Sequence, residues 1–168
     1  MGFRETDLVL LTADLAGFAR TAAGMSAVEV AKLLDGWYGA VEAAIAGRGG
    51  RVVKYIGDGC LATFPADACA TAVEAARELA VHRVGDGELR AGVRVHLGTV
   101  AEGEVGPDHR YDVFGSPVND LFRMGRAGTV LISDTVYAQL TPEQRATWQA
   151  QTSPATFEPA AIADAGAV

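Results

Sequence analysis

Apolar and polar positions along this chain follow two different periods, and the switches between them mark its elements. Residues 8 to 15, LVLLTADL, are a continuous apolar run with one acid near its end, short enough for a strand buried on both faces. After a loop, Ser26-Ala27-Val28-Glu29 forms a capping box, with Ser26 able to accept from the Glu29 backbone N–H. Val30, Leu33, Leu34, Trp37, Val41, Ala44 and Ile45 then keep helical spacing until Gly47, Gly49 and Gly50 end the helix. Residues 51 to 56 and 60 to 64 read as strands on either side of Gly57-Asp58-Gly59, a hairpin turn. Pro65 opens a second helix, Ala66 to about Val84, with Val73, Ala76, Leu79 and Ala80 along one face, and Asp86-Gly87 breaks it.

From Arg90 the pattern becomes alternation. Val93, Val95 and Leu97 fall on one side, and after Gly98 another run reaches Gly106, with Pro107-Asp108 as the following turn. The order βαββαβ plus a hairpin predicts an α+β fold with a ferredoxin-like core, an antiparallel sheet carrying two helices on one face. Additional C-terminal strands and helices follow. Residues 111 to 115 read as a short strand, and Ser116-Pro117 as the cap and first position of a helix through about Met124. Residues 129 to 133 read as a strand, DTVYAQL as a helix behind Ser133, and Thr141-Pro142-Glu143-Gln144 as a capped helix start. After Gln151 no period is visible. The expectation is one domain over residues 1–151 and a poorly ordered tail over 152–168.

Composition narrows the class. A chain of 168 residues, 49% hydrophobic and 21% charged, can bury a core without staples. No apolar run approaches the ~20 residues of a membrane span, and the first seven residues lack the apolar middle of a signal peptide, so a cytoplasmic protein is expected. A net charge of -7 argues against broad capture of nucleic acid or anionic lipid. Cys60 and Cys69 have neither redox nor zinc spacing and read as small buried hydrophobes.

Several polar residues break these patterns. Asp14 ends the first strand, before Leu15-Ala16-Gly17-Phe18, whose glycine lets backbone N–H groups approach a ligand. Asp58 sits on the hairpin expected beside that strand, so the two carboxylates can share divalent cations. Lys54 and Asp112 are charges inside apolar strands, which favours pairing with one another or with a polar ligand. Asn119 and Arg123 stand four apart on one helix face, where both can donate to a single oxyanion. His82, His96 and His109 read as structural.

Four ordered segments, LLTADLAGF, VVKYIGDGCLATF, GVRVHLGTVAEGEVG and YDVFGSPVNDLFRM, resemble the class III nucleotidyl cyclases over roughly residues 7 to 140. The resemblance implies an adenylate cyclase converting ATP to 3′,5′-cyclic AMP and pyrophosphate with two Mg²⁺ or Mn²⁺ ions per site. Asp14 and Asp58 match the metal-binding aspartates, with the Leu15 carbonyl a further ligand and Gly17 and Phe18 beside the substrate. Lys54 and Asp112 match the adenine-specifying pair, Asn119 the residue that orients the ribose, and Arg123 the one that stabilises phosphate charge. In that family the site lies between two domains, so the resemblance implies a head-to-tail homodimer with two shared sites. Lys54 and Asp58 of one chain then serve different sites.

The chain departs from the family pattern. Asp120-Leu121-Phe122 replaces small residues, the link from Arg123 to residues 129 to 133 is short, and no Lys follows Lys54 to grip the terminal phosphates, so that either Arg126 or Arg145 substitutes or triphosphate binding is weak. Two rival readings follow. One is a cyclase-like module that binds nucleotide or dimerises with weak or no turnover, and the other is a ferredoxin-like interaction domain unrelated to nucleotides.

Overall fold

The central strand β1 (Arg4–Leu15) divides the interior, because its alternate residues feed two cores. Val9, Leu11, Ala13 and Leu15 join the larger core, while Leu10 lies in a smaller one with Leu61, Val100, Val113, Leu121, Met124 and Leu131. Full burial of such a side chain is worth about 1.5–3 kcal/mol, so a strand buried on both faces is a strong anchor. The computed structural model describes residues 2–125, 130–152 and 155–160.

After β1 come α1 (Phe18–Ala22), α2 (Ala27–Ala46), the hairpin β2 (Arg51–Ile56) and β3 (Gly59–Pro65), and α3 (Cys69–Val81). The long strand β4 (Ala91–Val105) turns back through β5 (Arg110–Phe114) into α4 (Ser116–Arg123). Then follow β6 (Val130–Ser133), α5 (Asp134–Gln139), α6 (Pro142–Arg145), β7 (Trp148–Thr152) and β8 (Ala155–Pro159). The sheet order is β2-β3-β1-β4-β6-β8-β7, with β5 paired to β4 off that path. Its first four strands are antiparallel neighbours in the order that a ferredoxin-like core requires. The expected fold class holds.

Helix α2 starts as predicted, with both arms of the Ser26–Glu29 capping box formed and Trp37, Val41, Ala44 and Ile45 buried. Together with α3 it covers the larger core, which also contains Cys60 and Cys69 as free thiols. Burial pushes the Cys60 thiol up to about 11, consistent with an inert hydrophobe. Among the described residues no helix is long and apolar enough to cross a membrane.

Five boundaries differ from the pattern. Helix α1, only five residues long, falls where a loop was expected, being too short to show a period. Pro65 ends β3 instead of opening a helix; a turn from the Pro65 carbonyl to the Ala68 N–H precedes α3, which stops at Val81. Gly98 does not divide β4. A Cβ there would lie 2.6 Å from Pro117 Cγ, so the glycine provides clearance for α4 crossing the strand. Helix α4 is capped by Gly115, not Ser116. Finally, strand β8 occupies part of the supposed tail: Ile132 pairs with Phe157, whose ring stacks on Tyr137 at 3.8 Å. Residues 161–168 lie outside the described residues.

Candidate active site

Strands β1 and β3 pair as far as Ala13 and Cys60, which brings Asp14 beside the turn that carries Asp58. The Leu15 N–H donates to Asp58 Oδ2 at 2.9 Å. Helix α2 holds the same turn from below: Trp37 Nε1 donates to the Asp58 carbonyl at 2.9 Å, and the Tyr38 hydroxyl donates to the Gly57 carbonyl. Desolvation raises the Tyr38 pKa, so this donor stays protonated at neutral pH. Gly17, with φ 80°, caps α1 in a conformation that side chains disfavour, and Phe18 packs partly buried on the larger core. Two carboxylates held this close are hard oxygen donors suited to Mg²⁺ or Mn²⁺. Among the described residues no group of three or more His, Cys, Asp or Glu side chains gathers here, so a cation would complete its shell with backbone, water or substrate oxygens.

Asp14 already has a cationic neighbour. Arg94 Nη1 lies 2.7 Å from Asp14 Oδ2, and Arg94 Nε donates to the Gly125 carbonyl at 2.7 Å. Asp14 faces Gly92 in the β1–β4 register, and that missing side chain leaves the diagonal neighbour Arg94 free to reach across.

Lys54 and Asp112 meet at a second place, with Lys54 Nζ 2.7 and 2.9 Å from the two Asp112 oxygens. Their side chains are 42% and 17% exposed, on a cleft of about 650 Å³ that Val53, Tyr55, Pro107 and Tyr111 also line. Behind Asp112, the Tyr111 hydroxyl donates to Glu102 Oε2 at 2.6 Å, Arg4 Nε donates to Glu102 Oε1 at 2.7 Å, and the Arg51 guanidinium lies 3.8 Å from the Tyr111 ring centroid. The Tyr111 hydrogen bond, ahead of the Arg4 and Arg51 charges, holds the Glu102 carboxyl below its ordinary range despite burial. Burial and Glu102 together push the Tyr111 phenol up to about 12.

Asn119 and Arg123 occupy the exposed side of α4, whose Leu121 is fully buried in the smaller core. Neither side chain has a hydrogen-bond or ion-pair partner among the described residues. Arg123 lines a separate cleft of about 560 Å³ with His96, Asp120, Met124 and Asp134. Neither cleft is lined by Asp14 or Asp58. The structure thus brings the six site residues together in three pairs and does not gather them at one place in a single chain.

The remaining polar candidates are engaged elsewhere. Arg145 donates to the Tyr137 carbonyl at 3.0 Å and also to the Ala138 carbonyl, closing the C-terminal end of α5. Arg126 lies outside the described residues. His82 packs near Trp37, burial lowers the His96 pKa, and His109 lies 3.7 Å from Glu104.

Sequence reasoning missed Arg94 and the Tyr111–Glu102 contact. The signal for Arg94 was present as a cation at alternate spacing in GVRVHLG, but alternation alone assigns such a residue to a solvated face. The approach of Trp37 and Tyr38 to the Asp58 turn depends on how α2 docks, which periodicity does not encode.

The profile of the adenylate and guanylate cyclase catalytic domain matches residues 4–154. An adenylate cyclase of Streptomyces coelicolor is 33% identical over 132 residues, covering 76% of this chain and 32% of that protein. An uncharacterized protein of Mycobacterium tuberculosis is 28% identical over 164 residues, covering 88% of this chain and 30% of that one. The chain therefore spans about a third of the length of these curated relatives. A crystal structure of a guanylyl cyclase superposes with a TM-score of 0.76 at 25% identity, covering 98% of this chain and 97% of the other.

Proposed function

The chain belongs to the adenylate and guanylate cyclase catalytic domain family, and we propose that it is an adenylate cyclase that works as a head-to-tail homodimer. The observation that carries the choice of base is the Lys54–Asp112 ion pair on its cleft. Adenine presents an N6 donor beside an N1 acceptor, which a carboxylate and an ammonium match; guanine presents the reverse order. A buried mismatch of this kind costs a few kcal/mol, or roughly a hundredfold in selectivity.

In this reading Asp14 and Asp58, with the Leu15 carbonyl, would hold two divalent cations, which would supply Lewis acidity toward the ribose 3′ oxygen and positive charge for the triphosphate. Asn119 orients the ribose. Arg123 donates to the phosphate oxygens as charge builds on them during attack at the α-phosphorus. The separation of the three pairs supports a site completed by a second copy, with the aspartates from one protomer and the other four residues from its partner.

Incubation with Mn²⁺ and either ATP or GTP tests the proposal. Cyclic AMP should form from ATP, be lost in Asp14→Ala, and exceed cyclic GMP under the same conditions. The Arg94 contact on Asp14 favours a second reading, a nucleotide-binding module without turnover. Saturable ATP binding without cyclic product would select it.

A further inference from the structure

We propose that Arg94 is the resident counter-ion of Asp14 in the metal-free chain, and that it sets a threshold a divalent cation must overcome to settle there. This rests on the reading of Asp14 and Asp58 as metal-holding carboxylates. The Arg94 side chain is 11% exposed and that of Asp14 is 47% exposed, so the guanidinium is the better enclosed member and the carboxylate the more accessible one. The Gly125 carbonyl fixes the guanidinium from a second side. A guanidinium does not deprotonate in a protein, so a cation bound by Asp14 is placed beside a standing positive charge in a partly desolvated setting.

That geometry has a thermodynamic consequence. Mn²⁺ alone gains the Asp14 carboxylate only by weakening its contact with Arg94. Mn²⁺ accompanied by a polyanion brings compensating negative charge, so the two ligands bind with positive coupling, and the coupling depends on Arg94.

Mn²⁺ binding to the full chain, followed by the electron paramagnetic resonance of the free ion in the absence of nucleotide, tests the inference. Arg94→Gln is expected to tighten Mn²⁺ binding about tenfold or more, while Arg94→Lys stays close to the wild type. Circular dichroism checks that each variant is folded, and Arg94→Met, which keeps the aliphatic stem, is read in the same way if the glutamine variant is not. Equal or weaker binding by the neutral variants overturns the role of Arg94 while leaving the metal site intact, provided Asp14→Asn still abolishes binding. If Asp14→Asn leaves Mn²⁺ binding unchanged in the Arg94→Gln background, or if no form binds Mn²⁺, the metal-site reading itself falls and this inference with it.

Discussion

Lys54 Nζ and Asp112 Oδ2 lie 2.7 Å apart across two strands, β2 and β5, that do not pair with each other. The contact joins β2, an edge strand of the sheet, to β5, which pairs with β4 off the main path, and it leaves an ammonium and a carboxylate side by side on an open cleft. Replacing one member strands the other, and Asp112, at 17% exposure, is the less solvated of the two. Lys54→Met is therefore expected to lower kcat/KM for ATP about a hundredfold and to change the value for GTP by less than about tenfold. Steady-state kinetics with both nucleotides measures this. An unchanged ATP-to-GTP ratio would remove the pair from base selection.

The separation of the aspartates from Asn119 and Arg123 leads to a second expectation. Asp58→Ala and Arg123→Ala are each expected to be inactive alone, whereas a head-to-tail heterodimer of the two would contain one intact site and one doubly altered site. An equimolar mixture that exchanges subunits freely should regain about a quarter of wild-type activity, since about half the dimers are mixed and each has one working site. Absence of recovery, with mixed dimers demonstrated by mass, contradicts the shared-site arrangement.

Tyr111 links the cleft to acid stability. Because Glu102 has a lowered pKa in the folded chain, it contributes stability that is present above its unfolded pKa and lost as pH falls through the lower folded value. Tyr111→Phe removes the largest cause of that shift and should cost about 1 kcal/mol near neutral pH, with the gap to wild type narrowing as the pH falls below about 4. Urea unfolding at a series of pH values reads the difference. A gap that stays constant with pH would mean the hydroxyl contributes packing alone.

Much of this arrangement is legible along the chain, and the limits have physical causes. The capping box at Ser26, the buried run around Leu10 and the turn at Asp58 are local signals, and each element they predict is present. The charges at Lys54 and Asp112 stand out because burying them unpaired is costly, and they are paired. What local pattern does not carry is docking. Gly98 reads as a strand end when only the sequence is considered, because its reason is Pro117, nineteen positions away in another element. Strand β8 is equally silent, as its few residues gain their order from pairing with β6.

Gly98 also provides the last expectation. A methyl group there would meet Pro117 Cγ at 2.6 Å and Cβ at 2.7 Å, so α4 must shift away from β4. Asn119 and Arg123 ride on that helix, and Leu121 ties it to the smaller core. Overpacking of this kind costs about 1–3 kcal/mol, and a displacement of about 1 Å in groups that position a reacting substrate can cost about a hundredfold in rate. Gly98→Ala should therefore lower both the unfolding midpoint and kcat. Gly36→Ala is the control: it lies on the exposed side of α2, has nothing within 4 Å of the added carbon, and should gain about 0.4–1 kcal/mol while leaving kcat unchanged. If Gly98→Ala loses stability but keeps wild-type turnover, the crossing of α4 over β4 supports the fold without setting the position of Asn119 and Arg123.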